Sequence, residues 1–246
     1  MIHRFDTVDS TNTLAKTMAR EGAPHGTVIL ADHQSAGRGR LGRSFDSPAG
    51  AGIYMSMILR PDCPPTELMH LTCAVALAVC DGVETSLGFR PSIKWINDLV
   101  AEGKKLAGIL TELSIDPKTG LVDFAIIGIG LNCNQRAEDF PPQLRSIACS
   151  AAMVTGQNID RQRLTDAIIT HLEQMDLTQK ATIMAQYRND CVTLGKEVTV
   201  IRGDSSRNGI ALSVNDDGAL TVRFPDGHTE SVDSGEVSVR GIFGYT

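Results

Sequence analysis

The stretch TVILADHQSAGRGRLGR, residues 27–43, begins as a strand and ends as a basic loop. Its first five residues, TVILA, are mostly β-branched or apolar, which predicts a buried strand. Its last seven, GRGRLGR, hold three arginines, three glycines and a single apolar side chain. Because glycine weakens helices and strands and arginine matches carboxylate and phosphate oxygens, we expect a flexible loop that closes over an anion. A solvated basic turn is the alternative that this stretch alone leaves open.

The rest of the chain is acidic and has an ordinary globular composition. Of its 246 residues, 42% are hydrophobic and 21% are charged, and the formal net charge is -6. This excludes a disordered chain and a protein built to coat nucleic acid. The start lacks the apolar core of a signal peptide, and the apolar stretch at residues 68–83 is too short to span a membrane. Six scattered cysteines without a Cys-x-x-Cys pair favour reduced thiols and a cytoplasmic location.

The larger part of the chain is predicted to be an α+β domain with a mixed, largely antiparallel sheet and flanking helices. We expect strands at residues 3–8, 27–31, 53–59, 92–95, 105–113 and 121–131. The strands at 92–95 and 105–113 should form a pair joined by a turn at Glu102 and Gly103. Apolar residues at helical spacing predict a first helix after residue 9, a long buried helix at 67–87 and a further helical segment at 160–187.

The texture changes after Gly195. Short apolar runs at residues 197–201, 209–214, 219–224 and 228–232 are separated by Asn-Asp-Asp-Gly and Pro-Asp-Gly turns. This pattern predicts a small β-barrel of about fifty residues. We therefore divide the chain into a first domain at residues 1–190 and a small second domain at 191–246.

Two further motifs hold charged residues at predicted strand ends. KWIND, residues 94–98, offers a lysine for phosphate and a carboxylate for Mg²⁺, although, taken alone, an Asx-type turn explains its last two residues better. KKLAGIL, residues 104–110, has a glycine in mid-strand that indicates a bulge or the close approach of a ligand to the backbone. Lys105 would then point toward the same ligand, unless it is merely solvated.

GIGLN, residues 128–132, is not a dinucleotide-binding loop, because it lacks the third glycine and a following helix. Glycines in a strand beside a ligand-facing Asn132 explain it better. His33 is the histidine nearest to the basic loop, and nothing around it resembles a Ser-His-Asp arrangement. Hydrolysis therefore has little support.

Together and in this order, the motifs resemble those of biotin protein ligase, biotin–[acetyl-CoA-carboxylase] ligase. The resemblance rests on STN (residues 10–12), QSAGRGR with GR (34–40 and 42–43), KWIND, KLAG (105–108) and GIGLN. It covers residues 10–132, and the C-terminal β module has the size and position of the family's SH3-like domain. It implies a catalytic domain like that of class II aminoacyl-tRNA synthetases. Because no winged-helix domain fits before His3, it implies the monofunctional form, which does not bind DNA.

The resemblance implies a reaction in two steps. The carboxylate of biotin attacks the α-phosphorus of ATP, giving biotinyl-5′-AMP and pyrophosphate. The ε-amine of a lysine on a biotin carboxyl carrier protein, in acetyl-CoA carboxylase or a related carboxylase, then attacks this anhydride. ATP with Mg²⁺ would be required, and nucleic acid and membranes would not take part. We expect a cytoplasmic monomer or weak homodimer.

The resemblance also implies a role for individual residues. Lys105, Arg38 and Arg40 would be catalytic. The residues around biotin would be Ser10, Thr11, Asn12, Gln34, Gly37, Arg38, Gly39, Arg40, Ser56, Lys105 and Gly108. The residues around ATP would be Arg40, Arg43, Lys94, Trp95, Asn97, Asp98 and Asn132. Asp98 would contact Mg²⁺.

Two positions depart from the family pattern, and two other functions remain open. Ile96 stands where proline is common, and Phe45 stands where tryptophan is common, which removes an indole N–H donor. A lipoate or octanoyl ligase shares the catalytic fold, but it would need an apolar tunnel in place of the polar STN segment and Gln34. A non-catalytic biotin-binding relative is the other alternative, and the presence of Lys105 and Asp98 argues against it.

Overall fold

A computed structural model gives the structure of residues 1–233 and 238–241. Its strands form two sheets. The larger sheet contains β1 (Ile2–Val8), β2 (Thr27–Gln34), β3 (Gly52–Leu59), β4 (Ser92–Lys94), β5 (Asp98–Ala101), β6 (Lys104–Ile115) and β7 (Val122–Asn132). The smaller sheet contains β8 (Glu197–Arg202), β9 (Ser205–Val214), β10 (Leu220–Arg223), β11 (Thr229–Val232) and β12 (Ser238–Gly241).

The larger sheet has the order β1-β2-β3-β7-β6-β5-β4. β1 and β2 are parallel, and all the other neighbours are antiparallel. The helices described are α1 (Thr11–Arg20), α2 (Leu71–Leu87), α3 (Ala151–Thr155), α4 (Arg161–Glu173) and α5 (Lys180–Asp190). The predicted fold class, an α+β protein with a mixed and largely antiparallel sheet, is confirmed.

Alternation along the strands divides the side chains of the larger sheet between two faces. In β7, Ile127, Ile129 and Leu131 join the main core with α2 and α4, whereas Phe124 and Ile126 pack against α1 on the opposite face. Beyond α1 this second face continues with Gly128 and Gly130, which have no side chain. The sheet is therefore covered on one face by helices and on the other by α1 and then by an open cavity.

Three predictions about elements need correction. The turn at Glu102 and Gly103 joins β5 to β6, so a short strand at Asp98–Ala101 was missed. The long apolar helix begins at Leu71, because the residues Pro65–Leu68 form a 3-10 turn. The helical segment at 160–187 is two helices, α4 and α5; between them the Asp176 carboxylate accepts hydrogen bonds from the backbone and side chain of Thr178, an Asx-type turn.

The C-terminal strands form an open sheet. Their order is β11-β10-β9-β8-β12, and within the described residues β11 and β12 are the two edges. The closed barrel that we predicted is therefore replaced by a five-stranded antiparallel sheet. The strand β12 was not predicted. Predicted positions 234–237 and 242–246 of this module lie outside the described residues.

The helical segment Pro65–Leu87 is long and apolar enough to cross a membrane by composition alone. Its most apolar 18-residue window is, however, 72% buried within the protein. The hydrophobicity of this segment is therefore used in the core, where α2 packs against β5, β6, α4 and α5.

Candidate active site

The floor of the cavity is built from three cross-strand rows on the second face of the larger sheet. The register aligns Gly108, Gly130 and Tyr54 in the first row. It aligns Leu110, Gly128 and Ser56 in the second row, and Glu112, Ile126 and Ile58 in the third. Gly128 and Gly130 have no side chains and so leave space above the sheet for neighbouring groups, and α1 covers the third row.

One end of the cavity, which we call the amide end, is formed by Thr11, Asn12, Gln34 and Ser56. The Gln34 Oε1 atom accepts hydrogen bonds from the Thr11 backbone N–H and hydroxyl, at 2.9 and 3.1 Å. The Ser56 hydroxyl lies 2.6 Å from Asn12 Oδ1 and 2.8 Å from Thr11 Oγ1. Ser47 accepts from the Gln34 amide at 2.9 Å. These groups hold one another in place, so the amide end is ordered by its own hydrogen bonds.

The opposite end, which we call the charged end, is formed by Arg40, Asn97, Asp98 and Lys105. Lys105 Nζ lies 2.6 Å from Asp98 Oδ1, an ion pair that is less than one third exposed on both sides. Arg40 donates to the side-chain oxygen of Asn97 at 3.0 Å. Asn97 is fixed in turn, because its amide donates to the Ile109 carbonyl at 2.9 Å. Burial lowers the pKa of Arg40, and the charge of Asp98 opposes this effect.

The basic loop closes on itself at its base and lies over both ends. Phe45 N–H donates to the Gly37 carbonyl at 2.9 Å, and Gly39 N–H donates to the Arg43 carbonyl at 2.7 Å. At its tip Leu41 has a φ of 54° and is 54% exposed. Left-handed backbone is unusual for leucine, so the tip is held by the ordered base of the loop. The loop is therefore an ordered structure whose arginines point to different places.

Three of the motif glycines are explained by close packing. A Cβ on Gly128 would overlap the side-chain amide of Asn12, and a Cβ on Gly130 would lie 2.6 Å from the Phe45 ring. A Cβ on Gly37 would overlap the Phe45 carbonyl. The glycines of the GIGLN motif thus make room for one side chain of α1 and one of the basic loop. The sequence alone instead explains these glycines by a ligand that faces Asn132.

Most of the predicted site residues meet in one cavity of about 520 Å³. A volume of this size suits a small-molecule ligand. The predicted residues that line it are Ser10, Thr11, Asn12, Gln34, Arg38, Gly39, Arg40, Arg43, Lys94, Trp95, Asn97, Asp98, Lys105 and Gly108. Residues far apart in the chain are therefore brought together as the motif order suggested.

Gly37, Ser56 and Asn132 are not among the cavity-lining residues. Gly37 lies at the base of the basic loop, and Ser56 is fully buried beneath Thr11 and Asn12. Asn132 is buried beyond the cavity, where its amide donates to the Cys149 carbonyl at 3.0 Å and its oxygen accepts from Gln135. In this structure Asn132 fixes the chain that follows β7, and its predicted contact with nucleotide remains a prediction.

Sequence reasoning missed Glu112, which lies at the border of the amide end. Its carboxylate accepts from Asn12 at 2.9 Å, from Lys16 at 2.5 Å and from both terminal nitrogens of Arg38 at 3.2 and 3.0 Å. Burial acts to raise the pKa of Glu112, but hydrogen bonds from Lys16 and Asn12 and the charges of Lys16 and Arg38 lower it overall. Strand alternation was the available signal, since Gly108 and Glu112 must share a face.

The KWIND segment at the charged end also touches the C-terminal module. The Trp95 indole N–H donates to the Gly218 carbonyl at 2.9 Å, in the turn between β9 and β10. On α5, the Tyr187 hydroxyl donates to the Ile96 carbonyl at 3.1 Å, and Arg188 donates to the Val214 carbonyl at 2.5 Å. Three hydrogen bonds thus connect KWIND, α5 and the turn of the smaller sheet.

Comparison with known proteins now gives the family. Residues 4–132, more than half of the chain, match the model of the biotin/lipoate A/B protein ligase family. The chain belongs to this family. Residues 193–240 further match the biotin protein ligase C-terminal domain. The two matches together contain every residue of both ends of the cavity and the Gly218 turn.

Members of the family with high similarity are ligases. The chain is 37% identical over 226 residues to the bifunctional ligase/repressor BirA of Bacillus spizizenii, covering 90% of this chain and 69% of that protein. It is 33% identical over 237 residues to the biotin–[acetyl-CoA-carboxylase] ligase of Mycobacterium tuberculosis, covering 93% and 85%. The structure of the biotin protein ligase from Aquifex aeolicus in complex with biotin and ATP superimposes with a TM-score of 0.81, at 28% identity and 98% coverage of both chains.

Proposed function

We propose that the cavity is where this chain, an ATP-dependent biotin protein ligase, joins biotin to AMP and then transfers biotin to a lysine of a carrier protein. The observation that carries this proposal is the Lys105–Asp98 ion pair at the charged end of a cavity whose other end is formed by neutral amide and hydroxyl groups. A ligase that joins an acid with a neutral head group to a nucleotide needs one uncharged end and one charged end in its cavity. Membership of the family and the similarity to ligases support the same reaction.

The amide end is suited to the ureido ring of biotin. This ring is neutral and carries one carbonyl acceptor and two N–H donors. The described groups offer matching hydroxyls and amides from Ser10, Thr11, Asn12 and Gln34, with Ser56 supporting them from below. Their mutual hydrogen bonds hold them in place before the ligand arrives, which lowers the entropic cost of binding. The backbone of Gly108, on the adjacent row, would lie along the side chain of biotin.

The charged end is suited to the triphosphate. Biotin carboxylate and ATP repel each other, and Arg40, Arg43, Lys94 and Lys105 offer positive charge around the place where they must meet. Mg²⁺ would arrive with the nucleotide, since Mg²⁺ binds through one or two carboxylates together with substrate phosphates. Asp98 is the cavity-lining carboxylate that fits this role.

Lys105 is assigned to the reacting atoms. In the first step a carboxylate oxygen of biotin forms a bond to the α-phosphorus, and the bond to the β-phosphate oxygen breaks with its electron pair leaving on pyrophosphate. Lys105 would donate hydrogen bonds to the carboxylate and to the α-phosphate, where negative charge builds up in the transition state. Asp98, 2.6 Å away, holds the ammonium in place until the nucleotide binds. Arg40 would contact the same phosphate from the basic loop.

In the second step the amine of the carrier lysine attacks the carbonyl carbon of the anhydride. AMP leaves with the electron pair of the broken bond, and the amine loses a proton. Between the two steps the anhydride must be shielded from water, and the basic loop lies where it can do so. We infer that the acceptor is a biotin carboxyl carrier protein. A cytoplasmic location is consistent with the six free cysteines, five of which are buried.

One experiment tests the proposal. The purified protein is incubated with biotin, MgATP and an apo carrier domain, and pyrophosphate release and the mass of the carrier are followed. We expect biotin-dependent pyrophosphate release and the addition of one biotinyl group. A carrier lacking its acceptor lysine is the control and should gain nothing. Absence of biotin-dependent pyrophosphate release from the wild-type protein would refute the ligase function.

The same assay addresses the lipoate or octanoyl alternative. Octanoate or lipoate replaces biotin at equal concentration. The polar side chains of the amide end would then be left without partners beside a fatty chain, which is unfavourable. We therefore expect activity with biotin and no activity with octanoate or lipoate.

A further inference from the structure

Glu112 belongs to none of the motifs that carry the family resemblance. Its carboxylate nevertheless accepts hydrogen bonds from Asn12 of the STN segment and from Arg38 of the basic loop. We propose that Glu112 is a positioning residue that holds the Asn12 amide and the Arg38 guanidinium together, and so controls biotin binding and retention of the adenylate. The inference rests on the proposed function, because it names a further residue for the same reaction. It assigns a role to a residue that does not line the cavity.

The geometry joins three separate parts of the chain at one carboxylate. Oε2 accepts from Asn12 of α1 at 2.9 Å and from Arg38 Nη1 at 3.2 Å, while Oε1 accepts from Arg38 Nη2 at 3.0 Å. The Arg38 contact is therefore a two-point fork, which fixes orientation as well as distance. Since Glu112 belongs to the third row of the sheet, it ties the basic loop and α1 to the centre of the larger sheet.

Arg38 and Arg40 of the basic loop have different hydrogen-bond partners. Glu112 is 18% exposed at its side chain and is paired with two cations, Lys16 and Arg38. Arg40 of the same loop instead donates to Asn97 at the charged end. Arg38 thus anchors the loop while Arg40 reaches toward the nucleotide. The resemblance implies that both arginines are catalytic and lie around biotin, and that Arg40 also contacts ATP; the contacts place Arg38 beside the amide end and Arg40 at the charged end.

The carboxylate also fixes the direction of the Asn12 amide. An ionised carboxylate only accepts hydrogen bonds, so the Asn12 nitrogen must face Glu112 and the Leu110 carbonyl, 3.3 Å away. The Asn12 oxygen must then face Ser56, which donates to it at 2.6 Å. Without the negative charge, the Asn12 nitrogen loses its charged acceptor and keeps the longer contact to the Leu110 carbonyl, so the amide is held less firmly. The direction of the groups that the amide end offers to the ureido ring would then be less well fixed.

The test uses Glu112→Gln, which keeps size and removes charge. We expect KM for biotin to rise about tenfold and the pre-formed adenylate to dissociate about tenfold faster, which is the scale of one lost charge-assisted hydrogen bond. KM for ATP and kcat at saturating biotin should change by less than about threefold, because the charged end is untouched. Asp123→Asn is the matched control: it removes a carboxylate paired with Arg60 on the neighbouring strand, away from the cavity.

A double-mutant cycle separates positioning from general damage. Arg38→Gln should speed adenylate release as Glu112→Gln does, and the double variant should release it no faster than either single variant. Additive effects on release would contradict the coupling. Equal losses in biotin and ATP affinity together with a lowered melting temperature would show a merely structural role and overturn the proposal. If the wild type forms adenylate and Glu112→Gln matches it in every constant, this inference fails alone; if the wild type forms none, the proposed function fails.

Discussion

The two ends of the cavity are held in place by different means. At the amide end, Thr11, Asn12, Gln34 and Ser56 bond mainly to one another and to the sheet. At the charged end, Lys105 bonds to Asp98, and the KWIND segment is supported from outside by Tyr187 and the Gly218 carbonyl. One end is complete within the larger sheet and α1, whereas the other depends on α5 and the C-terminal module.

This difference matches what each end is proposed to bind. A neutral head group is recognised by the direction of hydrogen bonds, so its site benefits from rigid donors and acceptors. Phosphates are held by charge, which acts over a longer distance and tolerates movement. We therefore expect substitutions to separate into those that affect biotin and those that affect ATP, with Lys105 as the residue where both meet.

The largest effect is expected for Lys105→Met. The ammonium group would touch both reactants in the transition state, so its removal should lower the rate of adenylation by about 10²–10³-fold, the scale of one lost transition-state donor. Pre-steady-state pyrophosphate release measures this rate. Lys104→Met, a change of the same kind at the preceding residue, lies outside the cavity and should leave the rate unchanged. A near-normal rate in Lys105→Met would remove Lys105 from the reacting atoms.

A smaller and one-sided effect is expected for Gly128→Ala. Its Cβ would overlap the Asn12 amide, so Asn12 must move away from Ser56 and Glu112. KM for biotin should rise by about 10–100-fold, as expected when a buried amide loses its partners, with KM for ATP little changed. Steady-state kinetics with each substrate varied in turn gives both constants.

A second substitution shows whether the clash is the cause. The overlap should also lower the melting temperature of Gly128→Ala. In Gly128→Ala with Asn12→Ala the overlapping amide is gone, so we expect part of this loss to be recovered while biotin affinity is not. If KM for ATP rises as much as KM for biotin in Gly128→Ala, the two ends are not independent, and the comparison drawn above is wrong.

The sequence predicted the parts of the site that are local to a motif. The strand before the basic loop, the arginines in it and the Lys105 strand all lie where expected, because strand periodicity and loop composition are local properties. The predicted chemistry of the two ends follows directly from residue type. Most of the residues that line the cavity could therefore be predicted from the motifs and their order.

What the sequence did not predict depends on register and on distant contacts. Glu112 looks like an ordinary strand residue until the alignment with β7 places it beneath α1. The β5 strand was missed because it has only four residues. The resemblance assigns Asn132 to the nucleotide, which stays a prediction; its hydrogen bonds to Cys149 and Gln135, after β7, are a further feature that the sequence did not predict. The positions of Glu112 and of the Asn132 partners become visible only when the neighbouring strands and segments are known.

A moderate effect confined to the charged end is expected for Trp95→Phe. Loss of the indole N–H leaves the buried Gly218 carbonyl without this donor, at a cost of about 1–3 kcal/mol. If about half of this free energy is lost from ATP binding by the KWIND segment, KM for ATP should rise about three- to tenfold. KM for biotin should not change. Tyr187→Phe, which removes the hydroxyl bonded to Ile96, should act in the same direction. A larger change in KM for biotin than for ATP would contradict the assignment of this wall to the nucleotide.

The smallest effect concerns pH and belongs to the amide end. The folded protein lowers the pKa of Glu112, through Lys16, Asn12 and Arg38, against the opposing effect of burial. A lowered pKa means that ionised Glu112 contributes stability at pH values above its unfolded pKa of about 4.3, and that this contribution is lost as pH falls through the lower folded value.

Wild type should therefore melt about 2–4 °C above Glu112→Gln at neutral pH, a shift typical of a weak interaction in a chain of this length. The difference should shrink below about pH 4. Thermal melts of both proteins between neutral and acidic pH measure it. A difference that stays constant down to acidic pH would mean that Glu112 stabilises the fold by packing, and that the charge of this carboxylate does not hold Asn12 and Arg38.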